Sequence, residues 1–256
     1  MPAAIFDPAL CLRHWDWSET SQVVALFTRS HGVIRALAKG ARRPGSPYSG
    51  GIEVLTAGEA GLILKPAADL HLLTEWDLRQ PFNHLRASLP VYYAGLYIAD
   101  LLSHLVIDAD PHESLFDDAI AALHALRAGP ESVPGVLLRL QWSALTESGY
   151  QPDFDLATTS PVCFDPNTGS LVRGSTPNPP HTWPLRPQTV TLLRALKDLP
   201  KDRPSKAPAP VVRNASRFLA TYLAWLIGRP LNTAPLVYPD LPKALSPASS
   251  AGRAAR

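Results

Sequence analysis

The chain has 256 residues, 46% of them hydrophobic and 18% charged, which suffices for one large or two modest cores and excludes a chain disordered throughout. Two cysteines, Cys11 and Cys163, exclude a multi-disulfide framework and an all-cysteine zinc site within one chain. The net charge of +2 singles out no partner by itself, so the order of residues has to carry the argument.

Residues 1–80 read as strands. Gln22–Thr28 is β-branched and aromatic, and Gly32–Ala38 follows after the tight connection Arg29-Ser30-His31, the pattern of a hairpin. Ala9–Trp15 precedes them; Gly51–Leu55, Gly61–Lys65 and Leu70–Trp76 are further short runs punctuated by glycine or proline. Five or six short strands in 80 residues predict a small closed or half-open barrel. Between them Lys39–Gly51 is rich in Gly, Pro and Ser and reads as an irregular loop carrying three positive charges.

After Pro81 the apolar period becomes helical, over Val91–Ile107, His112–Arg127 and Val133–Ser148, with Gly149 placed as a helix terminator. Regular structure fades over residues 151–187, where seven prolines fall between Pro161 and Pro187. Helical periodicity returns in Thr189–Leu199 and in Val211–Ile227, where Val212, Ala215, Phe218, Leu219, Tyr222 and Leu226 form one stripe. The tail 246–256 is small and polar and reads as disordered. The expected organisation is therefore α+β, with a β-barrel domain at 1–80, a helical domain at 81–245 interrupted by an irregular insertion at 151–187, and a tail.

The opening residues lack a basic stretch followed by an apolar one, and the longest strongly apolar run, Phe218 to Ile227, falls short of the ~20 residues a spanning helix needs. A soluble, cytoplasmic protein without a membrane partner is expected. No phosphate-binding GxxxxGK[ST] loop, GxSxG elbow or GxGxxG fingerprint is present. Asp100, His104, Asp108 and His112 are spaced by four, but Pro111 interrupts any helix that would align them, so no metal site is assigned. An enzyme is not expected.

Charge falls in blocks. Thr20–Ile52 carries Arg29, Arg35, Lys39, Arg42 and Arg43 and no acid; Ala87–Leu126 carries six acids and no Lys or Arg; Arg186–Arg217 is again basic. Basic blocks of this kind serve polyanions or simply face water.

The string Trp15–Leu55 decides between these readings. Ser18-Glu19-Thr20-Ser21, Phe27-Thr28-Arg29, Gly32 and Ala38–Arg43 resemble the opening of the RecO family of bacterial DNA repair proteins. Tyr92-Tyr93 with Tyr97, Pro111–Phe116, and Leu138-Arg139 through Gly149-Tyr150-Gln151-Pro152 resemble that family's helical motifs in the same order, so the resemblance runs over roughly residues 5–230. It implies an OB-fold at the front and a non-catalytic recombination mediator. Such a mediator binds single- and double-stranded DNA, anneals complementary strands, and with RecR helps load RecA onto DNA coated by single-strand binding protein.

On that reading Arg29, Arg35, Lys39, Arg42 and Arg43 contact phosphates, with Trp17 and Tyr48 as stacking platforms; Trp15 and Phe27 are further aromatics of the same stretch, Phe27 fitting the core better. Five phosphate contacts on a single strand give a log–log salt slope of about −3.5. Lys201, Arg203, Lys206, Arg213 and Arg217 form a possible second DNA patch, or a solvated linker. Arg139, at a family-motif position, is the expected contact for the acidic tail of single-strand binding protein, or else a salt-bridge partner. Many relatives carry a four-cysteine zinc element after the Gly-Tyr-x-Pro motif. Here Arg173 stands where a cysteine is expected and Cys163 has no cysteine partner nearby, so the zinc is expected to be lost. The competing reading is an OB-fold protein-interaction scaffold that no longer touches DNA; a hydrolase with dispersed Ser, His and Asp is a third.

Overall fold

The computed structural model describes residues 4–48, 52–66, 68–106, 110–155, 162–173, 182–200, 203 and 205–241. They fall into two compact units, Met1–Pro130 and Glu131–Arg256. The expected disordered tail, 246–256, lies outside the described residues.

In the first unit β1 (Ile5–Asp16), β2 (Gln22–Thr28), β3 (Gly32–Ala38), β4 (Ala57–Ile63) and β5 (His71–Gln80) close into a barrel in the order β1-β2-β3-β5-β4. Every pairing is antiparallel except β3 with β5. This is an OB-fold. Small residues, Ala9, Cys11, Ala36, Ala38 and Ala60, line the interior and make room for the fully buried Trp76. Small and large side chains must alternate in this way when a barrel is too narrow to hold large ones throughout. At Gly58, where the β4–β5 register shifts, a β-carbon would lie 2.3 Å from the Asp77 carbonyl oxygen, so only glycine lets these strands close.

The expected strand at Gly51–Leu55 is not one: residues 52–56 form a turn in which Leu55 adopts φ 62 and its N–H donates to the Cys11 carbonyl at 3.0 Å. Gly51 itself is outside the described residues.

Two helices, α1 (Leu89–Leu105) and α2 (Glu113–Ala125), belong to the same compact unit as the barrel. Phe116 of α2 meets Phe27 of β2 edge-on, with ring centroids 5.5 Å apart. Arg13 of β1 reaches the buried Asp100 of α1 at 2.6 Å. The strands end near residue 80, as the change of period implies, but contacts keep the next two helices with the barrel. Asp100 is thereby committed to Arg13 and to His104, and α1 ends at Leu105 before the spacing-by-four pattern reaches His112; Asp108 is outside the described residues.

The second unit contains α3 (Val133–Glu147), α4 (Pro187–Ala195), α5 (Ala209–Ile227) and the short α6 (Ala234–Val237). Gly149, at φ 73, follows the end of α3 as its position predicts. The stretch expected to be irregular carries a three-stranded sheet instead, ordered β7-β6-β8: β6 (Val162–Asp165), β7 (Ser170–Arg173) and β8 (Trp183–Leu185). Four rings converge on Phe164 of β6, namely Phe154, Trp183, Phe218 and Tyr222, with centroids 5.0–6.0 Å away. That apolar payload lets strands of three or four residues persist between prolines. A buried polar contact ties the helices together: Gln141 Nε2 of α3 donates to the Tyr238 hydroxyl at 2.9 Å, and Ser216 Oγ of α5 lies 2.6 Å from the same oxygen. Among the described residues no helix is long and apolar enough to cross a membrane.

Candidate nucleic-acid interface

Two turns meet at one end of the barrel. The β1–β2 turn, residues 17–21, is closed by the Trp17 and Ser18 N–H groups, both donating to the Ser21 carbonyl. The segment after β3, read from sequence as an irregular loop, is a chain of hydrogen-bonded turns over its described part, residues 39–48. Arg43 N–H donates to Gly40 O at 2.9 Å, Ser46 N–H to Arg43 O at 3.1 Å, and Ser46 Oγ to Ala41 O at 3.0 Å. It is stitched to the β1–β2 turn by Gly40 N–H on Ser21 Oγ (3.1 Å) and Arg42 N–H on Thr20 O (3.1 Å). A backbone held at both sides presents its cations from a fixed platform.

The hollow between these turns is lined by Trp17, Ser18, Ser21, Leu37, Lys39, Gly40 and Arg43, with no acid in its wall. Trp17 is 63% exposed. Glu19, in the same turn, is exposed and does not line the hollow. Lys39 and Arg43 are exposed and make no ion pair among the described residues. Arg42 pairs with Asp16, an exposed contact of the kind worth little in water and readily traded for another anion.

Strand register extends this surface along the outside of the barrel. Trp15, Val23, Leu37 and Leu72 stand in one cross-strand row, and their neighbours Val24, Ala36 and Leu73 are in the core, so the row faces outward. Arg35 is exposed two residues before Leu37 on the same side of β3. This β2–β3 face, with the β1–β2 turn, is where OB-folds hold oligonucleotides.

Two members of the expected set do not join this surface. Arg29 sits at the β2–β3 turn, at the other end of β3, about 20 Å along a seven-residue strand. There it forms a fork on Asp117 (3.0 Å from both Nε and Nη2) and reaches Glu113 at 2.5 Å, both on α2. The Asp117 hydrogen bonds lead in raising the Arg29 guanidinium above its ordinary value. Tyr48 is 3% exposed in the barrel core and donates its hydroxyl to the Leu73 carbonyl at 2.7 Å; it is no stacking platform. Phe27 is fully buried, as its apolar context implies. The lining residues that sequence reasoning missed are Ser18, Ser21, Leu37 and Gly40. Leu37 was readable from strand alternation with Arg35, but the joining of two turns distant in sequence was not.

In the second unit Arg213 and Arg217 lie one helical turn apart, exposed on α5, and Lys206 and Arg203 are exposed just before it; Lys201 is outside the described residues. Arg139 of α3 directs its guanidinium at the carbonyls of Leu199 (3.0 Å), Pro200 (2.9 Å) and Arg203 (2.5 Å). It therefore braces the described residues between α4 and α5 through their carbonyls. Cys163 is buried in β6, Cys11 is in the barrel interior, and no group of three or more His, Cys, Asp or Glu that could hold a metal occurs among the described residues.

The family model described as recombination protein O N terminal matches residues 3–82, and that described as recombination protein O C terminal matches residues 86–235. A protein of Rhodopirellula baltica named DNA repair protein RecO is 42% identical over 144 residues, 56% of this chain and 53% of that relative. Proteins of the same name from Anaeromyxobacter and Erwinia tasmaniensis are 32% and 31% identical, the alignments covering 86% and 95% of this chain and 90% and 96% of theirs. Both family models break where the strands end and the helices begin. With matches running through barrel and helices alike, this chain belongs to the RecO family of DNA repair proteins.

Proposed function

We propose that this chain is a non-catalytic, DNA-binding recombination mediator. It binds single- and double-stranded DNA through the barrel, promotes annealing of complementary strands and, with RecR, assists RecA loading onto DNA coated by single-strand binding protein. The helical unit engages that coating protein's acidic tail, and Arg203, Lys206, Arg213 and Arg217 form a second DNA patch on that unit. No zinc takes part, because the one cysteine near the insertion cannot supply the four ligands of a structural site.

The observation that carries the reading is the convergence of Lys39, Arg42 and Arg43 on one hydrogen-bonded platform beside an exposed indole, on the OB-fold's ligand-binding side. Three phosphate contacts on a single strand give a log–log salt slope of about −2, so affinity falls roughly 20-fold between 50 and 200 mM salt. This is shallower than the five-contact expectation because Arg29 is occupied elsewhere and Arg35 stands outside the turn. Fluorescence anisotropy with labelled oligonucleotides across a salt series, run beside an annealing assay, tests it. Lys39→Glu with Arg43→Glu should weaken binding at least tenfold. Binding indifferent both to salt and to this double reversal would overturn the proposal in favour of the protein-interaction scaffold.

A further inference from the structure

The hollow beside Trp17 has features that phosphate binding alone does not use. Its lining includes an indole with most of its surface open and the half-buried Leu37, and Ser18 and Ser21 contribute hydroxyls. Ser18 Oγ accepts from the Ser21 N–H (3.2 Å) and Ser21 Oγ accepts from the Gly40 N–H (3.1 Å). Each hydroxyl thus accepts one hydrogen bond and keeps its proton and a second lone pair for a ligand. Lys39 and Arg43, both exposed, line the same hollow. A flat apolar platform, two hydroxyl donors and two cations match a nucleobase carried on a sugar-phosphate strand: the ring stacks, its edge takes the hydroxyl protons, and the flanking phosphates meet the two cations. A base inside a duplex presents no free face to such a platform, whereas an unpaired one does.

Resting on the DNA-binding reading above, we propose that the Trp17 hollow is a subsite for one unpaired nucleobase and gives the barrel its preference for single strands over duplex. Selection among the four bases is weak, since every base has a π-face and serine hydroxyls bond equally to donors and acceptors on its edge.

Direct titration of the full chain separates the two layers of the argument. The probes are an oligothymidylate, a strand of equal length and charge made of abasic residues, and a duplex, all at one salt concentration. Oligothymidylate should bind the wild-type chain about tenfold more tightly than the abasic strand, the scale of one stacked base. Trp17→Ala should erase that difference and the preference over duplex while leaving abasic-strand binding unchanged; Trp17→Phe should restore most of it. The side chain is exposed, so these variants leave the fold intact, which thermal unfolding verifies. Equal binding of oligothymidylate and the abasic strand by the wild-type chain, or a Trp17→Ala variant that keeps the difference, overturns the subsite. In those two outcomes the phosphate reading survives if Lys39→Glu with Arg43→Glu still weakens every probe. If that reversal changes none of them, the phosphate reading is what has failed.

Discussion

Tyr48 is held by burial and by one hydrogen bond to the Leu73 carbonyl, so Tyr48→Phe keeps the ring and removes only the bond. The expected cost is about 1 kcal/mol by urea unfolding, with DNA affinity unchanged because the ring never reaches the surface. Burial also holds the Tyr48 phenol above its ordinary value. It does the same more strongly at Tyr238, where hydrogen bonds from Ser216 and Gln141 pull only partly the other way. In the unfolded chain both phenols ionise near pH 10. Above that pH the folded state keeps protons that the unfolded state has lost, so stability is full below about pH 10 and declines as pH rises through the folded values. Urea titrations between pH 8 and 11 should show this decline, and Tyr48→Phe or Tyr238→Phe should flatten it. Tyr48 looked like a platform in sequence because it sits among Pro, Ser and Gly. Only the fold shows that this turn bends back over β5, where Trp76 N–H donates to the Pro47 carbonyl.

Strands β2 and β3 were legible because apolar side chains lie on both faces, one turned to the interior and the other partly covered by helices, and because a short turn pins their register. The long helices were legible from their apolar period, and α5 buries the predicted stripe from Val212 to Tyr222. The sheet β6–β8 was not legible. Its strands have three or four residues, too few for a period, and what sustains them is contact with rings supplied by α5 and by Phe154. This assigns the stability of the segment to Phe164. Phe164→Ala should cost about 3–5 kcal/mol, read as a lower denaturant midpoint for the second unit. Exposed Trp17→Ala should shift the midpoint by no more than about 0.5 kcal/mol. A small effect at Phe164 would mean that the sheet is held by something other than its rings.

At the scale of the whole chain, the cations of the first basic block lie at opposite ends of β3, Lys39, Arg42 and Arg43 at one and Arg29 at the other. Arg29 is separated from Lys39 by the length of a strand and pairs with Glu113 and Asp117 of the acidic block. Each unit has a core of ordinary side chains, which leads to a plain expectation about metals. Dialysis against EDTA should leave the melting temperature unchanged, and elemental analysis should find no stoichiometric zinc; a metal-dependent melting shift would show that ligands lie where the described residues show none. The Gln141–Ser216–Tyr238 contact, finally, determines how far the polypeptide can be trimmed. Cutting after Leu241 spares the phenol, whereas cutting at Val237 removes the acceptor of Gln141 Nε2 and one of the hydrogen-bond partners of Ser216 Oγ, both buried. A ladder of C-terminal deletions should therefore lose soluble expression in a single step between those endpoints.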